Sequence, residues 1–79
     1  MTEQKIKSDE SISIGANIRR IRLAKGIGQT ALVRMLQLEG IDMTRESLVK
    51  IERGIQHIYA SQLRAIKDAL GTTYDELLK

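Results

Sequence analysis

Residues 44–54 read Thr-Arg-Glu-Ser-Leu-Val-Lys-Ile-Glu-Arg-Gly, and this stretch has the form of one short amphipathic helix with a signal at each end. Thr44 is a good N-cap because its hydroxyl oxygen can accept a hydrogen bond from the first turn of the helix. Leu48 and Ile51 are three residues apart, so they lie on one face. Gly54 is a natural terminator beyond the last turn. The stretch therefore predicts a helix over about 45–53.

Further helix-sized pieces lie on both sides of this one, separated by glycines and capping residues, in a chain without proline. Ile14, Ile18 and Ile21 form one stripe between a possible N-cap at Ser13 and Gly26, which predicts a helix over roughly 14–25. Three more helices follow from the same criteria. The first covers about 29–38, with Leu32, Val33 and Leu36 inward and Gly40 beyond its end. The second covers about 60–70, with Tyr59, Leu63, Ile66 and Leu70 on one face and Gly71 beyond its end. The third is a short last helix that opens with a capping box of Thr73 and Glu76 and carries Leu77 and Leu78.

The overall organisation is one small domain. Residues 1–12 are polar without sustained periodicity and are expected to form a flexible tail, so the domain is placed at 13–79. No segment alternates with period 2 over a useful length, so the sequence predicts no strand within 14–78 and an all-α fold of five helices. A core of this size is marginal, because small domains bury a smaller fraction of their surface. A core of this kind would gain stability from a partner chain or a ligand.

The composition argues against several classes of protein. The chain has no cysteine and one histidine, so neither a disulfide framework nor a cysteine or paired-histidine metal site is expected. We identify no nucleophile–base pair, no glycine-rich phosphate loop with a lysine and no metal cluster, so we expect no enzymatic activity and no cofactor. No apolar run approaches the roughly 20 residues that span a bilayer, and nothing resembles a signal peptide. The absence of cysteine suits a reducing cytoplasm.

Charge is distributed unevenly along the chain, whose formal net charge is +3. Most of the basic residues lie in the first two thirds of the domain, while residues 55–79 are balanced. The basic residues of the first part are Arg19, Arg20, Arg22, Lys25, Arg34, Arg45, Lys50 and Arg53. A basic half beside a neutral half is typical of a surface that binds a polyanion on one side, although a solvated helix face has the same composition.

Three stretches of the chain resemble the phage repressor and Cro family, the XRE-type helix-turn-helix proteins. They are Ile-Arg-Arg-Ile-Arg-Leu-Ala-Lys-Gly-Ile-Gly-Gln at 18–29, Leu-Val-Lys-Ile-Glu-Arg-Gly at 48–54, and Leu-Arg-Ala-Ile-Lys-Asp-Ala-Leu-Gly at 63–71 running into Tyr-Asp-Glu-Leu-Leu at 74–78. The resemblance covers about residues 14–78. It implies a five-helix, lambda-repressor-like helix-turn-helix domain. The implied function is a sequence-specific transcriptional regulator, specifically a repressor that reads operator DNA in the major groove with its third helix.

The chain departs from the family pattern at three places. Gly28 stands where the family usually has Ser or Thr before the Gln that opens the second helix, and it is a weaker cap. Ile58-Tyr59 stands in place of a Pro-Ser-like pair at the start of the fourth helix. The turn between the second and third helices is longer than the family's, with residues 37–43 intervening between Leu36 and Thr44, so either the second helix gains a turn or the loop bulges.

The resemblance divides the candidate DNA contacts into two groups. Base reading falls to the exposed face of the third helix, since arginine and lysine donate to guanine, a carboxylate accepts from cytosine and an aliphatic group touches the thymine methyl. The candidates for base reading are Thr44, Arg45, Glu46, Val49 and Lys50. The candidates for phosphate contact are Gln29, Arg53, Gln56 and His57. Glu46 has an alternative explanation, a favourable interaction with the helix dipole, and His57 could be an idle surface residue.

Other residues are assigned to the scaffold and to assembly. The family pairs an Arg of its first helix with a Glu of its third, which here implies an ion pair between Arg22 and Glu52; a phosphate contact of Arg22 is the competing interpretation. Tyr74, Leu77 and Leu78 are the candidate contacts of a homodimer on a pseudo-palindromic site. The alternative to DNA binding is a protein-interaction module, such as an antitoxin or accessory subunit. Such a module would expose apolar residues on the third helix, where this chain has charged ones.

Overall fold

Five helices make up most of the computed structural model, which describes residues 5–6 and 13–79. They are α1 (Ile14–Ala24), α2 (Gln29–Leu38), α3 (Arg45–Glu52), α4 (Ala60–Leu70) and α5 (Tyr74–Leu77). The five-helix fold predicted from the sequence is confirmed, and the first four helices begin and end within one residue of their predicted limits. In the described part of the chain, no helix is long and apolar enough to cross a bilayer.

The helix ends are set by local chemistry. The N–H of Ser47 donates to Thr44 Oγ1 over 3.0 Å, and the N–H of Glu76 donates to Thr73 Oγ1 over 3.2 Å, so both predicted threonine caps are made. Gly26, Gly40, Gly54 and Gly71 follow α1 to α4 and have positive φ. At Gly54, where φ is 77°, the chain leaves α3 in a left-handed conformation that a residue with a Cβ rarely adopts.

The core is formed by the predicted stripes with three additions: Met43 and Ile58, and also Leu77, which was predicted as a dimer contact. The buried apolar residues are Ile14, Ile18, Ile21, Leu32, Val33, Leu36, Met43, Leu48, Ile51, Ile58, Leu63, Ile66, Leu70 and Leu77. Met43 and Ile58 were not predicted to be inside, because both lie in connections where no helical periodicity marks them. Tyr59, which was predicted to face inward, is half-buried.

A short strand pair corrects the prediction that the chain has no strand. β1 (Lys5–Ile6) pairs antiparallel with β2 (Ile58–Tyr59), with Ile6 opposite Ile58. Two residues are too few for a period-2 pattern, which is why the sequence did not reveal them. Proline lacks the N–H group that strand pairing uses, so Ile58-Tyr59 can pair where the family's Pro-Ser-like pair would be restricted. Residues 1–4 and 7–12 of the predicted tail lie outside the described residues.

The long connection between α2 and α3 is an ordered loop rather than an extra helical turn. The N–H of Ile41 returns to the Leu36 carbonyl over 3.0 Å beyond the end of α2, and Met43 is 2% exposed. Two amide side chains bind its carbonyl oxygens. Gln37 Nε2 donates to Met43 O over 3.0 Å, and Gln62 Nε2 donates to Asp42 O over 3.1 Å. The loop thus delivers Thr44 to the start of α3 in a fixed position.

Gly15 marks a close approach between α1 and α3. A Cβ built on Gly15 would collide with the carbonyl oxygen of Ile51 and would lie 2.9 Å from its carbonyl carbon. These are backbone atoms of α3, so they cannot move aside without shifting the helix. Only glycine allows the two backbones to come this close.

We expect Gly15→Ala to lower the free energy of unfolding. Alanine in a helix interior is ordinarily favoured over glycine by roughly 0.5–1 kcal/mol. Here the collision with Ile51 should reverse the sign and cost about 1–3 kcal/mol, as overpacking does. Urea denaturation followed by circular dichroism measures this. Gly28→Ala is a glycine substitution without a collision, because no heavy atom outside the neighbouring residues lies within 4 Å of a Cβ at Gly28, and it loses only the N-cap preference for glycine. A Gly15→Ala variant as stable as the wild type would contradict the close approach.

Candidate nucleic-acid interface

The exposed face of α3 is the first part of the candidate site. Leu48, Ile51 and Glu52 are buried, so the opposite face of the helix is turned to solvent. At about 100° per residue, Glu46, Lys50 and Arg53 fall within roughly 60° of one another at the centre of that face. All three are exposed. The structure therefore brings one acidic and two basic side chains together on the surface of α3.

The other candidates for base reading lie at the edges of this face. Arg45 is exposed but lies in the same angular sector as the buried Glu52, since seven residues bring a helix back to within about 20°. Val49 is half-buried. Thr44 is exposed, and its hydroxyl accepts the Ser47 N–H and donates to Ser47 Oγ over 3.0 Å, so it is engaged in capping.

Gln56 and His57 lie in the segment that follows α3, beside the N-terminal end of α1. They line a small cleft together with Gly15 and the buried Ile51. Gln56 is half-buried and His57 is exposed. Arg53 stands at the C-cap of α3, so the three candidates for phosphate contact lie close together in the chain at this end of the helix, although Arg53 does not line the cleft.

A buried ion pair connects α1 to α3. Arg22 Nε donates to Glu52 Oε2 over 2.7 Å, and Nη2 donates to Glu52 Oε1 over 2.8 Å, which is the parallel two-bond geometry of a guanidinium and a carboxylate. Nη1 donates to the carbonyl of Ile27 over 3.0 Å. The hydrogen bonds to Glu52 raise the pKa of Arg22 above its usual value, against the lowering by burial. Arg22 therefore remains a cation with each terminal nitrogen bonded, and its contacts are with Glu52 and Ile27.

Gln29 joins the same network from α2. Its Nε2 donates to Glu52 Oε1 over 3.1 Å, so the carboxylate receives hydrogen bonds from two helices. Nothing in the sequence indicated this bond. A primary amide carries two donor hydrogens, so the bond to Glu52 leaves one of them for a phosphate. The first N–H groups of α2, beginning at Gln29 after the N-cap Gly28, have no partner within the helix and can face the same anion.

Arg19 is a candidate that the sequence analysis did not single out. Gly15 and Arg22 both contact α3, and Arg19 lies four residues after one and three before the other. It is therefore on the same side of α1 and is exposed. Arg20 is turned to the opposite side, where its guanidinium lies 3.6 Å from the carboxylate of Glu76 in α5. Helical spacing from Arg22 was the signal that could have identified Arg19.

The three proposed dimer contacts differ in how far their side chains are buried. Tyr74 is 42% exposed and Leu78 is 38% exposed, while Leu77 is fully buried against the core. Leu77 therefore cannot contact a second chain, and its assignment as a dimer contact was wrong. Its carbonyl accepts a 2.8 Å hydrogen bond from Asn17 Nδ2, which holds α5 on α1 and turns the Leu77 side chain inward.

We expect Glu52→Ala to destabilise the fold strongly, because it leaves the Arg22 guanidinium buried without its partner. Breaking a buried pair from one side costs about 3–5 kcal/mol. Thermal unfolding measures the loss. Glu39→Ala removes an exposed carboxylate and is the matched control, with an expected change within about 0.5 kcal/mol. Equal, small effects of the two substitutions would show that Arg22 does not depend on Glu52.

Comparison with solved structures identifies a relative. No family model matches the sequence, and no curated protein matches it. Among solved structures, the crystal structure of a hypothetical transcription factor, NHTF, from Neisseria is 30% identical in sequence. The match covers 98% of this chain and 85% of that one, with a TM-score of 0.69. The chain thus has a transcription-factor-like fold and belongs to the same family as this Neisseria protein.

Proposed function

We propose that this protein is a sequence-specific DNA-binding transcriptional regulator of the XRE type. In this proposal it acts as a repressor, with α3 in the major groove of operator DNA. The observation that carries the proposal is the exposed face of α3, where Glu46, Lys50 and Arg53 stand together on a helix held by a buried ion pair. The proposed function is DNA binding alone, without a catalytic step or a bound cofactor. We propose that the protein acts in the cytoplasm.

Charge chemistry supports DNA over a protein partner. Within residues 13–79, none of the exposed basic residues Arg19, Arg45, Lys50 and Arg53 is in an ion pair. Cations without an internal partner can neutralise phosphates and release counterions. A protein-interaction module built on α3 would instead expose apolar side chains at the centre of this face.

The proposal gives the charged residues two kinds of role. Arg45, Glu46 and Lys50 read base edges, with Val49 and Thr44 beside them, because a helix in the major groove presents its exposed N-terminal part to the bases. Gln29, Arg53, Gln56 and His57 hold the backbone on either side of the groove. Glu46 and Lys50 are four residues apart, so they can address neighbouring base pairs.

We further propose that two copies bind a pseudo-palindromic site. One short recognition helix reads few base pairs, and two half-sites about one helical turn apart supply the missing specificity. In vitro selection from random duplex DNA tests the whole proposal. An enriched motif with two-fold symmetry is expected, and the absence of any enriched motif would contradict sequence-specific binding.

We expect Arg45→Ala and Lys50→Ala each to flatten the sequence preference at one symmetric pair of positions. A bidentate base contact contributes roughly 1–3 kcal/mol of discrimination. The two side chains are about 140° apart around α3, so the two variants should affect different positions. Titration of each variant against selected and singly substituted duplexes measures the loss. If both variants kept the full sequence preference of the wild type, Arg45 and Lys50 would not be the residues that read the bases.

Arg53→Ala should weaken binding to selected and scrambled duplexes alike. A lost phosphate contact carries no sequence information, and for a cation it reduces the salt slope of binding by about one unit. Titrations at two salt concentrations measure both effects. Arg20→Ala is the matched control, since Arg20 faces α5 and away from α3. A fall in specificity without a change in salt slope would make Arg53 a base reader instead.

A further inference from the structure

The surface between α2 and α4 offers a second interaction site, on the side of α2 away from α3. Its floor includes Met35, Ile41, Ala65 and Ala69, and charged side chains stand along its edges. Ile41, Ala65 and Ala69 are partly buried and pack against the core, while Met35 is 36% exposed. The hydrophobic core therefore reaches the surface along this groove, which we call the α2–α4 groove.

We propose that the α2–α4 groove is the homodimer interface of this protein, occupied by the same groove of a second copy. The inference rests on the homodimer part of the proposed function and assigns its surface. In this arrangement, α4 of one protomer packs antiparallel against α4 of its partner around a two-fold axis. Met35 and Ile41 then extend the apolar contact on both sides.

Self-complementary charge is the first reason for choosing a second copy as the occupant. Arg64 and Asp68 both line the groove, four residues apart on α4 and so about 6 Å apart along its axis. Arg64 forms no ion pair with another residue of 13–79. A two-fold axis near residue 66 sets Arg64 opposite the partner's Asp68, and the same pairing then occurs twice. Lys67 already lies 2.9 Å from one oxygen of Asp68, and the other oxygen remains to accept from the incoming guanidinium.

Small side chains are the second reason. Ala65 and Ala69 lie one turn apart, and Ser61 precedes them by a turn on the same side of α4. A helix face made of small residues lets a second helix approach closely, so that Met35 and Ile41 of each copy reach the partner. The groove also has an advantage over the α5 surface, where the Tyr74 ring is engaged by the Lys67 ammonium 5.1 Å from its centre.

Reversing the charge of Arg64 or of Asp68 tests the interface in the absence of DNA. Sedimentation equilibrium over a wide range of concentrations should show wild-type dimers. Arg64→Asp places two carboxylates opposite each other, and Asp68→Arg places two guanidinium groups opposite each other. Because of the two-fold axis, each such contact occurs twice in the dimer. Since like charges in contact are strongly unfavourable, either variant should raise the dimer dissociation constant by at least about tenfold.

Mixing the two variants gives the decisive result. An equimolar mixture of Arg64→Asp and Asp68→Arg restores opposite charges at both contacts, so heterodimers should form where neither variant self-associates. Recovery also shows that both variants are folded. Arg34→Asp is the matched control, because Arg34 is an exposed arginine of α2 that does not line the groove, and its dimers should match the wild type.

Other outcomes would overturn the assignment. These are a wild-type chain that stays monomeric at all concentrations, single variants that dimerise normally, or a mixture that does not recover. Loss of the dimer in Tyr74→Ser and Leu78→Ser variants, with the charge variants unaffected, would move the interface to α5.

If selection yields a symmetric site that the charge variants bind normally as pairs, this interface fails while DNA binding stands. If each charge variant loses the dimer and the mixture recovers it, but selection from random duplex DNA enriches no motif, sequence-specific DNA binding fails while the interface stands.

Discussion

One carboxylate, that of Glu52, is the point at which the first three helices are joined. It accepts two hydrogen bonds from Arg22 of α1 and one from Gln29 at the start of α2. Arg22 in turn holds the carbonyl of Ile27 in the turn between those two helices. Because Glu52 is the last residue of α3, these bonds fix the C-terminal end of that helix, while the Thr44 cap defines its other end. The exposed face of α3 therefore has one orientation relative to the N-terminal end of α2.

Such a pair does more for orientation than for stability. Two charges removed from water lose solvation that their attraction only partly repays, and apolar replacements are often as stable. A guanidinium and a carboxylate, however, bond well in a single relative geometry, whereas an apolar contact tolerates sliding. The close approach at Gly15 makes this geometry possible, since Gly15 and Arg22 lie two turns apart on the same side of α1 and both touch α3. A substitution at Gly15 would therefore disturb the ion pair as well as the packing.

Residues with a local signal were predictable from the sequence, and those whose role depends on distant contacts were not. The isoleucine stripe of α1 and the threonine caps identify helices because their spacing is a property of the helix itself. Met43 and Ile58 are buried by what packs over their connections, and no periodicity reveals this. The resemblance implied the partnership of Arg22 with Glu52, but neither spacing nor resemblance indicated that Gln29 would join it. Leu77 was misassigned because a short terminal helix gives no indication of which of its apolar residues faces its own domain.

The length of the connection before α3 does not by itself decide how α3 is oriented. Additional residues in a turn could rotate the next helix, but here Met43 inserts into the core immediately before the Thr44 cap. Gln37 and Gln62 bind the carbonyls of Met43 and Asp42, so the loop is held from α2 and from α4. With Leu48 and Ile51 in the core and Glu52 bonded to Arg22, α3 is fixed at its start, middle and end. The rotation of its charged face is consequently set by the core and the ion pair, and the added length of the turn is accommodated in the loop.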